Sequence, residues 1–355
     1  MNVRFLDSLS KEQTKILKDF WKEIEKNLRG ENKTTEPIDE EELSLAMAYD
    51  NPDIVLLRWL RAKKWNVDAA IQKLLETIKW RHEWGVREFL EHGESDIQQE
   101  DIQSGKSYFL GRDKQGRPVN YVSVRDHIKD QFPPESTEKL TVYTMEIGRK
   151  ILKEPHESVT VVFDMTGFGL KNMDYHHLKF LINLLENYYP ESFATGLIIN
   201  APWIFNGCWY IIRPWLDPVV ESKIHFINNF ADITQFIDAD MLPKRLNGNL
   251  PDFKYIPPSE ADLEMQRVIR TDTEGKARAE QARQEAVQKY LDITRRWVYE
   301  DETPEIIEQR AQATKVLRDS FEQLVPYVHT KTHYHRTGDI DEPIFDIVYQ
   351  RIISQ

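Results

Sequence analysis

The chain has 355 residues, of which 40% are hydrophobic and 11% aromatic, and this content excludes wholesale disorder. The formal net charge of -12 argues against a nucleic-acid-binding protein, because phosphate backbones require a basic face. A single cysteine, Cys208, cannot build a disulfide framework, and the N-terminus lacks the apolar core of a secretory signal. These features predict a cytoplasmic protein.

The first part of the chain predicts helices. Ser10 stands three residues before a glutamine, as in a capping box, and apolar residues then recur on one face as far as Leu28. The polar stretch Glu31–Glu42 contains a proline and predicts a linker. A second helical block is expected over Asp53–Gly85, which ends at a glycine.

From about residue 97 the pattern changes to strands that alternate with helices. Five runs rich in β-branched and aromatic residues predict strands: Tyr108–Gly111, Val119–Val124, Val159–Phe163, Gly196–Ala201 and Ile224–Asn228. Two segments between them predict helices: Glu135–Lys153 and Asp174–Tyr188. This alternation predicts an α/β fold with a mainly parallel sheet.

The tail is charged and favours helices. Glu260–Glu300 and Thr303–Tyr327 each predict a helical segment. Apolar residues along these segments predict docking onto the sheet domain: Trp297, Ile306, Leu317, Phe321 and Leu324. We therefore expect an N-terminal helical module at 1–96, an α/β domain at 97–257 and a helical C-terminal extension at 258–355.

Motifs that suggest catalysis or metal binding lack their required context. Ser104–Ser107 resembles the end of a phosphate-binding loop, but it lacks the first glycine and precedes a strand. Asp164 follows a buried strand, where a lone aspartate more often caps a turn than does chemistry. Two groups of histidines lack carboxylate or cysteine partners at ligand spacing: His176 and His177, and His329, His333 and His335. The sequence predicts no catalytic residue, no metal and no cofactor.

One segment is unusually rich in large aromatic residues. Its helical part is apolar nearly all round, so it either buries both faces in a core or contacts lipid. A movable lid explains the aromatic excess better, because Trp and Tyr suit a membrane–water boundary. We expect this lid and the pocket beneath it to involve Trp203, Phe205, Trp209, Tyr210, Ile212, Trp215 and Leu216.

Several motifs in order resemble the CRAL-TRIO lipid-transfer family, particularly its fungal phosphatidylinositol transfer members. These motifs are Leu57–Trp65, Asp113–Pro118, Tyr189–Glu191, Ile199–Pro202, Leu216–Lys223 and Leu242–Gly248. The resemblance covers about residues 50–257. It implies a mainly parallel sheet as the floor of an apolar pocket beneath a mobile helical gate, with helical modules before and after it.

The resemblance also implies a headgroup site. The positions carried over from the family are Lys63 and Lys64 near the phosphate, Glu191 and Lys223 at the inositol, and Asp217 at the start of the last motif. Lysine offers a compact charge to a phosphodiester, and a carboxylate accepts hydrogen bonds from inositol hydroxyls. Val220 stands where the family usually has threonine, so one headgroup hydrogen bond is missing.

A second headgroup, that of phosphatidylcholine, is bound in some family members by two tyrosines and a serine/threonine pair. The corresponding positions here are Phe109, Asn120, Val159 and Val161, all without the required hydroxyl. Because a buried phosphate without donors is poorly satisfied, we expect phosphatidylcholine binding to be weak or lost. The freed apolar space suggests a second hydrophobic ligand, such as a sterol precursor.

The expected function is phosphatidylinositol binding and transfer between membranes by a non-enzymatic cytoplasmic monomer. Its partners would be a phospholipid, a transient peripheral contact with intracellular membranes and a lipid kinase. One alternative is a lipid-sensing adaptor that presents phosphatidylinositol to a kinase or another protein. A lipid hydrolase is disfavoured, because no serine, cysteine or metal constellation accompanies the lipid motifs.

Overall fold

A computed structural model describes residues 9–31, 38–153 and 155–354. Residues 32–37, within the expected linker, lie outside the described residues. The chain divides into two compact units. The first contains the described residues within 1–92, 258–331 and 342–355, and the second contains Gly93–Pro257 and Thr332–Asp341.

The elements follow one another in this order. The helices are α1 (Lys11–Leu28), α2 (Glu40–Met47), α3 (Pro52–Ala62), α4 (Val67–Trp84), α5 (Val86–His92), α6 (Gln99–Gln103), α7 (Pro134–Ile151), α8 (Tyr175–Asn183), α9 (Phe205–Ile212), α10 (Pro218–Glu221), α11 (Phe230–Ile233), α12 (Glu260–Thr271), α13 (Thr273–Tyr299), α14 (Pro304–Val328), α15 (His333–Arg336) and α16 (Ile344–Ile353). The strands are β1 (Ser107–Arg112), β2 (Pro118–Ser123), β3 (Val159–Asp164), β4 (Phe193–Ile199) and β5 (Ile224–Ile227).

The N-terminal helices of the first unit follow the local signals with two exceptions. The Ser10 hydroxyl accepts from the Gln13 N–H at 3.1 Å, and the Gln13 side chain accepts from the Ser10 N–H at 2.9 Å, which confirms the capping box. The expected block Asp53–Gly85 is instead two helices, α3 and α4, separated by a turn. The predicted C-terminal boundary of the linker at Glu42 is also wrong, because Glu42 belongs to α2. Its carboxylate pairs with buried Arg81 at 2.8 Å.

The core of the first unit joins its N-terminal helices to the tail helices. Trp297, Ile306 and Leu317 pack in one cluster with Leu17 and Phe20 of α1. The tail helices were expected to dock onto the sheet domain, but these apolar residues pack against the N-terminal helices. Each side alone has an apolar stripe, and burial of the two stripes together removes both from water.

The second unit is built on a five-stranded sheet in the order β1-β2-β3-β4-β5. β1 and β2 are antiparallel, and the remaining neighbours are parallel. The expected α/β fold with a mainly parallel sheet is therefore confirmed. β3 is the central strand, and its β-branched run suits a strand that has neighbours on both sides.

One face of this sheet carries a buried apolar core, which we call the packed face. Side chains alternate between the two faces of a strand, so every second residue contributes to it. Its members are Tyr108, Val119, Tyr121, Val162, Leu197, Ile199 and Ile227, packed against Ile233, Ile237, Leu242 and Leu246. The chain after β5 therefore covers most of this face, while His225 on the edge strand β5 stays exposed.

Candidate functional site

The other face of the sheet, which we call the open face, is not sealed in the same way. On β3, Thr160 and Val162 are fully buried, whereas Val159, Val161 and Phe163 retain accessible surface. β3 lies at the centre of the sheet, so this exposure is not an edge effect. The open face carries both buried and accessible residues. Phe109, Asn120, Gly196 and Ile198 on it are buried, whereas its accessible members are Val122, Val159, Val161, Phe163, Ile224 and Phe226.

Two helices border the open face. The Thr144 hydroxyl of α7 lies 3.3 Å from the Ser107 hydroxyl on β1, and Leu178 of α8 packs in the cluster that contains Phe163. All residues of α8 are described, and each side chain keeps some accessible surface, although the Nδ1 atom of His177 is itself buried. The apolar side of α8 and the open face therefore both keep accessible apolar side chains, among them Leu178 and Phe163. We call this shared apolar surface the candidate lipid pocket.

The aromatic segment predicted as a lid contains α9. Phe205 and Ile212 are buried, and Phe205 and Trp209 approach Phe226 of the open face, with ring centroids 6.4 and 5.3 Å away. On the outer side Tyr210 is 82% exposed. The alternative of a core helix buried on both faces is therefore wrong. The other expected lid residues are placed as follows: Trp203 is 84% exposed, and Trp209, Trp215 and Leu216 are half-buried.

A few polar contacts hold the end of this aromatic segment. Helix α8 continues into one π-helical turn, Leu184–Tyr188, and Glu186 in that turn accepts the Asp217 backbone N–H at 2.9 Å. Arg213 and Glu221 form an ion pair at 2.6 Å across the same end. Glu186 could not be predicted from the sequence, because neither a π-helical turn nor a long-range partner has a local sequence signal. Such turns are frequent at functional sites.

The expected headgroup residues of the second unit lie where β4 and β5 begin. The Lys223 ammonium donates to the Phe193 carbonyl at 3.0 Å, and Phe193 follows Glu191 by two residues. The structure thus brings the Glu191 and Lys223 segments together. Glu191 has φ of 59°, an uncommon conformation for a residue other than glycine. Asp217 is exposed and caps α10 by accepting the Val219 N–H at 2.7 Å, which gives it a structural role.

The expected basic pair belongs to the first unit. Lys63 is half-buried and Lys64 is exposed, and both lie in the turn between α3 and α4. Lys64 and Trp65 have φ of 50° and 66°, so the backbone turns sharply here without a glycine. Across residues 9–31, 38–153 and 155–354, no hydrogen bond or ion pair engages either ammonium group. Their role at a headgroup stays a prediction.

The four positions without choline-binding hydroxyls behave differently from one another. Phe109 is buried, and the Asn120 amide donates to the Ser107 hydroxyl at 3.3 Å and to the Tyr108 carbonyl at 3.2 Å. Val159 and Val161 share the open face with these two residues but are only half-buried. The Asn120 amide nitrogen is thus already engaged within the protein, and the two valines offer only apolar surface.

The lysine of the phosphate-loop-like motif has a structural role. Lys106 is buried, forms an ion pair with Asp101 and lies 3.5 Å from the Thr137 hydroxyl. Asp164 likewise forms an ion pair with Arg245 and accepts the Thr166 N–H, as expected of a turn residue. Neither group is free for chemistry.

Two histidines lie near Lys106. The His127 ring nitrogen lies 3.4 Å from an Asp174 oxygen, and the His177 ring centroid is 5.3 Å from that of His127. Burial, with Lys106 and His127 nearby, lowers the pKa of His177 to about 3 and keeps it neutral. In the part of the chain that the structure describes, no group of three or more His, Cys, Asp or Glu side chains could hold a metal ion.

Comparisons with known proteins match both units. A family model described as CRAL/TRIO domain matches residues 102–248, and one described as CRAL/TRIO, N-terminal domain matches residues 5–76. Of the helices described, none is both long and apolar enough to cross a membrane.

Curated relatives are fungal. The chain is 38% identical over 300 residues to a CRAL-TRIO domain-containing protein of Schizosaccharomyces pombe, covering 82% of this chain and 67% of that protein. It is 34% identical over 307 residues to phosphatidylinositol transfer protein CSR1 of Eremothecium gossypii, covering 82% and 69%. It is 31% identical over 213 residues to phosphatidylinositol transfer protein PDR17 of Saccharomyces cerevisiae, covering 56% and 58%.

Proposed function

Because this chain belongs to the CRAL-TRIO family of lipid-transfer proteins, we propose that it binds phosphatidylinositol and transfers it between membranes. Two relatives are named phosphatidylinositol transfer proteins, which supports this ligand. The observation that carries the proposal is the open face of the sheet, whose central strand keeps apolar side chains accessible beside the amphipathic helix α8.

Lipid chains fit the chemistry of the candidate lipid pocket. Burying acyl chains is worth about 0.8 kcal/mol per methylene, so a chain leaves a bilayer only for a comparably apolar environment. Val161, Phe163 and Leu178 offer such surface without unpaired polar groups. The headgroup would remain at the rim. There the Glu191 carboxylate would accept hydrogen bonds from the inositol hydroxyls, and the Lys223 ammonium would offer positive charge. For Lys63 and Lys64 of the first unit, a phosphate-binding role is proposed from the family resemblance alone.

The aromatic segment serves as the gate in this proposal. Trp203 and Tyr210 project large aromatic side chains outward, and such residues partition to the membrane interface. Contact with a bilayer would compete with the Glu186 contact to the Asp217 N–H and so favour opening. Lipid uptake would require no covalent chemistry, and the proposed protein is a non-enzymatic monomer of the cytoplasm.

Phosphatidylcholine is proposed to bind weakly. Val159 and Val161 provide no donor on the open face, and the Asn120 amide nitrogen already has acceptors within the protein. The same apolar surface suits a second hydrophobic ligand without a charged headgroup.

A lipid-sensing adaptor is the second candidate. In that case bound phosphatidylinositol would be presented to a lipid kinase or another protein, and transfer between vesicles would be slow. The two candidates share the pocket and differ in output, so a vesicle transfer assay distinguishes them.

A paired-lysine experiment tests the proposed function. The double variant Lys63→Ala/Lys223→Ala should lose at least tenfold in phosphatidylinositol transfer between vesicles, because the headgroup loses its cations. Its circular dichroism and unfolding midpoint should stay close to those of the unmodified protein.

The matched control is Lys26→Ala/Lys129→Ala, which removes one exposed lysine from each unit. The control should transfer normally. Equal transfer by both double variants would refute the headgroup assignment.

A further inference from the structure

The C-terminal segment Thr332–Asp341 belongs to the second unit, although the helices before and after it belong to the first. The segment is held mainly by the buried carboxylate of Glu94, a residue of the same unit. That carboxylate accepts the Tyr143 hydroxyl at 2.6 Å and the Tyr255 hydroxyl at 2.9 Å, and it forms an ion pair with Arg336. Both charged side chains are less than 10% exposed. Loss of Arg336 would leave a buried carboxylate without its cation, which is strongly unfavourable.

Two aromatic residues of the segment extend this attachment. The His333 ring accepts the Ile256 N–H at 3.1 Å and stacks on Tyr255, with ring centroids 5.6 Å apart. The Tyr334 hydroxyl accepts the Phe109 N–H at 2.9 Å. β1 is an edge strand of the sheet, so this N–H has no partner strand. Tyr334 therefore satisfies a backbone donor that would otherwise be unpaired in a buried place.

The segment contacts the elements that border the proposed lipid pocket. Through Tyr334 it contacts β1, and through Glu94 and Tyr143 it reaches α7. α7 and β1 meet at the open face, where the Thr144 and Ser107 hydroxyls lie 3.3 Å apart. One wall of the pocket is thus tied to the edge of its floor by residues from the far end of the chain.

We propose that Thr332–Asp341 is a clasp that holds α7 against β1 and thereby slows the exchange of bound lipid. This inference rests on the proposed lipid-transfer function. Release of the clasp frees the edge strand from Tyr334 and leaves Glu94 without its cation, so the α7 wall loosens. Lipid chains then exchange faster without any change in the headgroup residues.

The test uses the full chain with Arg336→Ala. Hydrogen exchange should show lost protection in peptides that cover 332–341 and 107–112. Transfer of fluorescent phosphatidylinositol between phosphatidylcholine vesicles should become at least threefold faster. The matched control is Arg351→Ala, which removes a tail arginine paired with Asp272 in the first unit. This control should change neither the protection of these peptides nor the transfer rate.

A milder variant covers the case in which Arg336→Ala does not fold. Tyr334→Phe keeps the ring and removes only the acceptor for the Phe109 N–H. The loss of hydrogen-exchange protection and the rise in transfer rate should therefore both appear, but be smaller than in Arg336→Ala. Unchanged protection, or lost protection with an unchanged transfer rate, would overturn the clasp while leaving the proposed function intact. An unmodified protein that transfers no lipid would overturn the proposed function and the exchange role together.

Discussion

The two faces of one sheet differ in how completely they are packed. Val162 and Val161 are adjacent on β3 and have the same side chain, yet Val162 is fully buried in the packed face and Val161 keeps accessible surface on the open face. Residue type therefore does not decide which face is core. The chain that covers each face decides it, and the covering of the open face leaves apolar surface available to a ligand.

The largest expected effect comes from shortening each valine in turn. Val162→Ala removes two methyl groups from a packed core and should lower the free energy of unfolding by about 2 kcal/mol. Val161→Ala should cost less than about 1 kcal/mol, because its surroundings are already incompletely filled. Urea unfolding of the lipid-free protein measures the change in unfolding free energy for each variant. Equal costs would mean that the open face is packed like the other.

A smaller effect is expected at the outer surface of the gate. Trp203→Ala/Tyr210→Ala should weaken binding to phospholipid vesicles about tenfold, since two interfacial aromatic side chains are lost. Stability should change by less than about 0.5 kcal/mol, because both residues are exposed. Vesicle sedimentation measures the binding. Leu170→Ala removes an exposed apolar residue outside the gate and serves as the control. Equal loss in both variants would argue against a specific gate surface.

A separate effect is the pH dependence contributed by α8 beside the open face. Burial, together with His127 and Lys106 and against the opposing charge of Asp174, lowers the pKa of His177 to about 3. The unfolded chain, with an ordinary histidine pKa of about 6.5, binds a proton before the folded one does. Stability from His177 is thus complete above about pH 6.5 and is lost as the pH falls toward 3.

A neighbouring histidine provides the control for this prediction. His177→Phe should flatten the fall in urea midpoint between pH 6.5 and pH 4, whereas His176→Phe, at an exposed position, should not. The same slope in both variants would show that His177 is not the group responsible.

Much of the fold could be predicted from local sequence. The β-branched runs gave the strands, and the Ser10 capping signal gave the start of α1, because these elements depend on nearby residues. The break after Ala62 could not be predicted, since Lys64 and Trp65 adopt positive φ without a glycine to signal it. The return of Thr332–Asp341 to the sheet unit had no local signal either, because its partners Glu94 and Phe109 are distant in sequence.

The candidate site was harder to predict from the sequence than the fold. The exposed aromatic segment proposed as a gate could be recognised from composition, whereas the proposed headgroup positions rest only on family resemblance. Which alternate residues of β3 face a ligand depends on what covers each side of the sheet, and that is a tertiary property. Glu186 was missed for the same reason, since its role depends on a contact with the Asp217 backbone.

Mass spectrometry of lipid extracted from the purified full chain tests the central claim most directly. An accessible apolar space beneath the aromatic gate should retain lipid through purification, with phosphatidylinositol as the main species. A Val161→Phe variant, which fills that space, should retain several-fold less. Phosphatidylcholine as the main species would contradict the ligand assignment, and protein that carries no lipid with either residue would contradict the pocket itself.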